Sequence, residues 1–477
     1  MARGDVNIDL VDGGLGNLPR GADGIHLKVG IAEGGDADKL YEISSYLEAK
    51  AILLSGPLLE AIQTYYLEFS KEKDQVPPKM YIVRPENDVA GSIGEIVHTG
   101  TGLATSAAAG TPIASRTFIV EILKSGAPAT ATYRKSSDGG KTWSDEIITP
   151  ASGIAINMGS GCTIAFTASA TPAESFVVGD VYTFSSESPT ASVANMAIAI
   201  NVAKQEYAVK RVHVVGETEK AFWVTCGGIA DDWEELYKHF VDFQLEAKSR
   251  LENETVETWA MARINEAKSF YHKRVAVTPL QVYSTTHKKY VSLGWIIAAK
   301  IAAAKVHESP GFVDKFAFLT VSEIRDYAEL SNKDTGDAWL DLLDDERYTV
   351  ATQYPDYPGF YISHVNLFCS ADSDYTRLQL LRPADKIRRL VRTKIMKFLE
   401  SPAHKEAGLG GITSLSVEID NAISSVMEIK GNREIDSHTT EIDPNQDVLG
   451  TGKVVGKVKF KPIGTMEVID IDLSAMS

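Results

Sequence analysis

Cysteine is scarce in this sequence. Cys162, Cys226 and Cys369 are the only three in 477 residues, and no two have C-x-x-C spacing. An odd, scattered set excludes a disulfide framework and a thiolate zinc site, and it fits a reducing compartment. Long apolar runs are missing as well. The most apolar stretch, Trp295 to Val306, is short and is interrupted by Lys300 and Lys305, so no membrane span and no membrane insertion are expected. The opening residues Met1-Ala2-Arg3-Gly4-Asp5 carry no apolar secretory core, and synthesis in a cytoplasm is expected. Positive charge is in deficit: 48 Lys and Arg stand against 64 Asp and Glu, a net charge of −16. That balance favours solubility and argues against a direct nucleic-acid binder, which needs a basic stripe to displace counterions.

Catalytic signatures are also lacking. No G-x-x-x-x-G-K-[ST] phosphate loop, H-E-x-x-H helix or G-x-S-x-G elbow occurs. Gly14-Leu15-Gly16 begins a dinucleotide-type run, but Pro19 takes the third glycine's place and no buried strand precedes it. The histidines are dispersed, and one inside a strand, such as His213, reads as a hydrogen-bonded core residue. No catalytic residue, metal site or cofactor is therefore expected, and the chain reads as a non-enzyme. One motif points the other way. Ser136-Ser137-Asp138-Gly139-Gly140-Lys141-Thr142-Trp143 matches the S-x-D-x-G-x-T-W Asp box and resembles hairpin turns of sialidases. Ser136, Asp138, Gly140, Thr142 and Trp143 suit a structural turn, in which Asp138 accepts from backbone amides and the glycines supply positive φ. The box occurs once, in a segment too short for a propeller. A carbohydrate-binding or glycosidase-like protein built around it is the alternative function.

What is present is a mixed α/β pattern. A chain of this length and composition holds about two to four domains. Residues 1–20 read as an N-terminal arm: Val6, Ile8 and Leu10 alternate with Asp5, Asn7 and Asp9, and a glycine-rich stretch follows. Residues 21–89 read as the first part of an α/β core. A strand spans Ile25 to Ile31, a helical pattern from Asp36 to Phe69 breaks at Ser55-Gly56-Pro57, and Met80 to Val83 is a buried strand. Residues 90–190, rich in Ala, Ser, Thr and Gly, read as an inserted, small, sandwich-like all-β domain with strands at Thr117–Leu123, Ala131–Lys135, Thr163–Thr167 and Val181–Ser185. The core resumes over 191–400. Strands are expected at Arg211–Val215, Val275–Val277, Phe316–Thr320, Tyr348–Thr352 and Phe360–Asn366, with an amphipathic helix over Asp231–Leu251 and another over 385–399. Residues 401–477 form a C-terminal portion ending in two β-like runs, Lys453–Lys461 and Met466–Leu473.

Two features stand out. In the first run Val454, Val458 and Phe460 share one face and Lys453, Lys457, Lys459 and Lys461 the other; the second run contains Ile469 and Ile471. Half-apolar terminal strands of opposite charge suit addition to a sheet edge. Equally, they can pair within one chain, with the lysines guarding an edge. Helix 385–399 carries Lys386, Arg388, Arg389, Arg392, Lys394 and Lys397 against the single acid Asp385, a local +5 (six bases minus one acid). Its stripe is Ile387, Leu390, Val391, Ile395 and Phe398. The cationic side is either a solvated face or a docking surface for an acidic partner.

Four segments in order carry a resemblance. They are Leu53-Leu54-Ser55-Gly56-Pro57-Leu58-Leu59-Glu60-Ala61-Ile62 followed by Tyr81-Ile82-Val83-Arg84-Pro85; Gly294-Trp295-Ile296-Ile297-Ala298-Ala299-Lys300; Phe360 to Cys369 followed by Arg382 to Arg392; and Val458-Lys459-Phe460-Lys461-Pro462 with Met466 to Leu473. Together they resemble the contractile tail sheath proteins of phages, nearest to the divergent sheath-like group of Mu-like and prophage tails and related contractile injection systems. The resemblance covers most of the chain outside 90–190. It implies a subunit that polymerises as stacked hexameric rings around a tail tube and contracts without nucleotide hydrolysis to drive the tube through a target envelope. It implies that Val6, Ile8, Leu10, Val454, Val458, Phe460, Ile469 and Ile471 belong to subunit-linking arms. It also implies that the cations of helix 385–399 face the tube and that 90–190 is outward decoration. The implied partners are further copies of the chain, the tail tube protein, and baseplate and tail terminator proteins. The implied location is a virion tail or phage-tail-like particle assembled in the bacterial host cytoplasm.

Overall fold

The structure is a computed structural model that describes residues 22–69, 76–113, 115–251, 253–334, 336–355, 357–370, 372–403 and 411–466. At its centre lies a six-stranded sheet. The strands are β1 (His26–Val29), β2 (Tyr41–Ile43), β3 (Met80–Val83), β4 (Arg211–Thr218), β5 (Asp242–Ala247) and β6 (Val275–Thr278), in the order β6-β5-β4-β1-β3-β2. All neighbours run parallel except β2, which closes one edge antiparallel to β3. The helices that matter below are α1 (Tyr46–Leu53), α2 (Pro57–Leu67), α3 (Lys220–Tyr237), α4 (Gly294–Ala303), α5 (Leu378–Ile395) and α6 (Ile412–Met427).

Local chemistry sets the helix starts. Ser45 caps α1 by accepting from the Glu48 amide, and the Glu48 carboxylate accepts in return from the Ser44 amide at 2.7 Å. Pro57 sits in the first turn of α2, where its missing N–H costs nothing.

Across β1, β4 and β5 the sheet is apolar on one face and charged on the other. Leu27, Val29, Val212, Val214, Phe243 and Leu245 alternate with a charged series fixed by register, in which His26 pairs across with Arg211 and Asp242, and Lys28 with His213 and Gln244. Glu246 falls on this charged face, two residues beyond Gln244. The face is nonetheless covered: Tyr65 of α2 packs against His26 and Lys28, and the Glu246 side chain lies against Gly294 of α4. Every residue of α4 is buried. Its one charge, Lys300, meets Glu68 at 2.7 Å, and Glu68 also accepts from the amides of Leu319 and Thr320.

The strands between Val97 and Ser186 form two further antiparallel sheets. One has three strands (Thr105–Gly110, Cys162–Thr167, Ala155–Gly159) and the other five (Val97–Thr99, Val181–Ser186, Arg116–Lys124, Thr132–Ser136, Ile147–Ile148). Phe118, Val120, Phe166, Phe176, Tyr182 and Phe184 belong to one hydrophobic cluster shared by these strands, distinct from the cluster around the central sheet. At the base of this segment Val89 and Thr190 exchange both backbone hydrogen bonds, at 3.0 and 2.9 Å. The three cysteines are buried and unbridged.

Several expected elements differ. The helix expected over Asp231–Leu251 holds only as far as Tyr237: α3 begins earlier, at Lys220, and stops at Lys238, which adopts a left-handed φ of 55°. Asp242–Ala247 is instead a fully buried parallel strand. Its polar residues Asp242, Gln244 and Glu246 point to the charged face and alternate with Phe243, Leu245 and Ala247, a strand period hidden by the true helical stretch that ends only at Tyr237. No strand spans Phe316–Thr320, because the Leu319 and Thr320 amides are taken by Glu68; the strand follows at Val321–Ile324. The strands expected over Tyr348–Thr352 and Phe360–Asn366 shrink to a two-residue pairing of Ala351–Thr352 with Tyr361–Ile362. The helical pattern from Asp36 begins only at Tyr46, after the short strand β2. Helix α5 starts earlier than expected and runs through Pro383, held by burial of Leu378, Leu381 and Ile387 on either side. A single 3-10 turn, Met396–Phe398, extends it.

Candidate assembly surfaces

The C-terminal strands form a hairpin within the chain. Strands β7 (Ser437–Ile442) and β8 (Gly456–Lys461) pair antiparallel, with Thr440 opposite Val458 and His438 opposite Phe460. Val458 and Phe460 pack on a third cluster with Ile387, Ile419, Ile423, Met427 and Ile435, which ties the hairpin to α5 and α6. The lysine face meets acids of the same hairpin: Lys459 bridges to Glu441 at 2.6 Å and Lys461 to Asp436 at 2.9 Å. So one edge of β8 is paired in-chain, which corrects the picture of a free C-terminal arm at this strand. Its other edge, and that of β7, carry no strand among the described residues. Val454, just before β8, is 38% exposed. Val6, Ile8, Leu10, Ile469 and Ile471 lie outside the described residues.

Helix α5 spends much of its charge internally. Lys386 is only 5% exposed, so it cannot belong to an outward cationic face; it is held between Asp23 and Glu434, each at 2.7 Å. Arg389 reaches the same Asp23 at 3.4 Å. Arg388 bonds to Glu234 at 2.6 Å and lies over the Phe240 ring at 3.8 Å. Burial alone would raise the Glu234 carboxyl, but Arg388 and Arg274 hold it at about 2. Arg392 and Lys394 are exposed and Lys397 meets Glu418 at 2.9 Å, so the outward cationic surface is confined to the C-terminal half of the helix. Beside it lies a groove of about 740 Å³, lined by Phe240, Val391, Ile395, Phe398, Leu415 and Val454. Asp23 and Glu434 were not singled out from the sequence, and nothing in their local context marks them, since their partner is 363 and 48 residues away.

The Asp-box turn is a closed local network. Asp138 accepts from the Thr142 amide at 2.9 Å and from its hydroxyl at 2.6 Å, while the Ser136 hydroxyl donates to Asp138 and accepts from the Gly140 amide. Gly139 and Gly140 take φ of 74° and 88°, which suit glycine. Trp143 stacks on Arg134 at 4.3 Å rather than entering the core. Slight burial would raise the Asp138 carboxyl, but the Thr142 and Ser136 bonds hold it at about 2.

One further ionisable series is buried. Lys28 Nζ lies 2.7 Å from His213 Nδ1, and His213 Nε2 lies 2.9 Å from Glu246 Oε1, whose other oxygen accepts from the Gly216 amide at 3.0 Å. Burial pushes Lys28 down to about 7, pushes Glu246 up to about 8 and holds His213 well below its usual value. Among the described residues no cluster of three metal-binding side chains occurs, and no helix is long and apolar enough to cross a membrane.

This architecture extends along nearly the whole length of known sheath proteins. A chain of the PVC sheath complex of an extracellular contractile injection system, in the contracted state, is 9% identical with a TM-score of 0.54, covering 99% of this chain and 98% of that one. A chain of the anti-feeding prophage baseplate, six-fold symmetrised, is 11% identical with a TM-score of 0.53 and full coverage of both (100% and 100%). A sheath tail protein from Desulfitobacterium hafniense is 12% identical with a TM-score of 0.50, covering 96% of this chain and 100% of that one. The fold is therefore that of contractile tail sheaths. The chain belongs to the DUF2586 family, whose N-terminal domain matches residues 3–366. No curated protein matches it.

Proposed function

We propose that this chain is the structural subunit of a contractile tail sheath, polymerising as stacked hexameric rings around a tail tube and contracting without nucleotide hydrolysis. The observation that carries the reading is end-to-end likeness to a contracted injection-system sheath, 99% of one chain on 98% of the other. The edges of the β7–β8 hairpin, which carry no further strand among the described residues, give the reading a chemical basis. A neighbour's strand such as Asp5–Leu10, with Val6, Ile8 and Leu10 on one face and acids on the other, matches an edge bearing Val458, Phe460 and lysines. In this reading residues 1–20 are an arm, 21–89 and 191–400 form the core, 90–190 is an outward domain and 401–477 carries the C-terminal hairpin and arm. The exposed cations Arg392, Lys394 and Lys397 face the tube. Baseplate and terminator proteins bound the ends of the polymer, and the product is a virion tail or tail-like particle assembled in the host cytoplasm. The carbohydrate-binding alternative has less support, because the Asp-box carboxylate is engaged by its own turn.

Negative-stain microscopy of the purified full-length protein tests this, with hollow, helically striated cylinders expected. Monodisperse particles under all assembly conditions would overturn it. Deleting residues 1–12 is expected to abolish cylinders while leaving the far-UV spectrum and melting temperature of the monomer unchanged; long tubes from the truncated chain would remove the arm from the mechanism.

A further inference from the structure

Both ends of the described chain are rooted on one side chain. Asp23 lies in the short 3-10 turn Ala22–Gly24 that follows the N-terminal segment. Glu434 lies three residues before β7 and is tied to the hairpin, since Asp436 accepts from Lys461 Nζ and its amide donates to the Lys461 carbonyl. Lys386 Nζ sits between the two carboxylates, 2.7 Å from Asp23 Oδ2 and 2.7 Å from Glu434 Oε2. The N-terminal turn has no slack: a Cβ on Gly24 would lie 2.4 Å from the Ala302 carbonyl oxygen at the end of α4. Arg382 adds to the anchorage by donating to the carbonyls of Asp23, Ala304 and Lys305. The two limbs differ electrostatically. Burial would raise both carboxyls; Lys386 and Arg389 bring Asp23 below its usual value, whereas Glu434 stays above its own.

We propose that Lys386 is a positioning residue that couples the root of the N-terminal segment to the root of the C-terminal hairpin, so that displacing one loosens the other. A buried ammonium shared by two carboxylates transmits such a change. Losing one partner leaves the remaining pair to re-centre in a site where uncompensated charge is costly. The consequence for assembly rests on the sheath reading above: a pull on one arm in the polymer would reach the other arm through this side chain within the same subunit.

Hydrogen exchange on the full-length monomer tests the coupling directly. Asp23→Asn is expected to speed exchange in β7 and β8, and Glu434→Gln to speed it in the 22–27 region, each by about tenfold. Lys386→Met should do both, and Lys386→Arg should restore most protection on both sides. A purely structural role would loosen only the side whose carboxylate was changed, and that result would overturn the proposal. If Lys386→Met fails to fold, the two carboxylate variants still decide it, since each leaves Lys386 one partner. The outcome is separable from the sheath reading. Cross-coupled exchange in a protein that never forms cylinders would leave the coupling standing, whereas cylinders with exchange changes confined to one side would remove the coupling alone.

Discussion

Lys28, His213 and Glu246 lie end to end across three parallel strands, a position where the sheet would ordinarily place valine or isoleucine. Their burial has a consequence for pH. Glu246, raised to about 8, keeps a proton in the folded state that the unfolded chain releases above its ordinary 4.5, so this group's contribution to stability falls as pH rises from 4.5 to 8. Lys28, depressed to about 7, releases a proton that the unfolded chain keeps up to 10.5, so its contribution rises with pH over 7 to 10.5. The two limbs meet in a minimum between 7 and 8. Glu246→Gln removes the first limb. Urea unfolding at pH 5, 6 and 7 is therefore expected to show wild type losing stability relative to the variant, by up to roughly 1.4 kcal/mol per pH unit. Parallel curves for the two proteins would refute the assignment. His213 was legible in the sequence as a strand histidine held in the core, but its partners were not. Lys28 and Glu246 are 185 and 33 residues away in sequence from His213, and only strand order brings them together.

Elements were legible where one face is apolar and a turn residue marks the boundary. Pro57 marked the start of α2, and Arg116–Lys124 is marked by its β-branched and aromatic run, of which Phe118, Val120 and Ile122 turn inward. Strand β5 alternates too, but it is only six residues long, with four residues between it and the end of α3 at Tyr237. Its acids and amide are as buried as Phe243 and Leu245, so no solvent face marks it off from the helix before it. Helix α5 falls between these cases. Its stripe was readable, yet the sequence could not tell which cations it keeps for itself: Lys386 and Arg389 engage Asp23, and Arg388 engages Glu234. That division sharpens the test of tube contact. Charge reversal at Arg392 and Lys394, which leaves those internal pairs intact, is expected to weaken co-assembly with tube protein roughly tenfold at low salt, an effect that shrinks as salt screens it. Sedimentation of mixed sheath and tube measures it, and equal co-assembly by both proteins at every salt concentration would exclude this surface.

At the scale of the whole molecule, the parts sit on separate hydrophobic clusters joined by few backbone crossings. The mixed α/β class was readable from composition and period. The order of the central strands was not, because parallel neighbours are specified by contacts between residues far apart in sequence. The Val89–Thr190 bridge makes the separation testable. Residues that exchange both backbone hydrogen bonds are about 5.5 Å apart at Cα, a gap that a two-residue turn spans. Replacing residues 90–189 by Asn-Gly is expected to leave the remaining chain folded, with a cooperative thermal transition within a few degrees of the wild-type one. Aggregation or loss of the transition would mean that the segment supports the core.

The same bridge makes the junction a socket. Any foreign module whose two ends lie one strand-spacing apart could be grafted there without asking the host sheet to move. Were the chain to polymerise as proposed, the graft would be repeated at every lattice point of a tube, and its spacing would be set by the polymer instead of by the cargo.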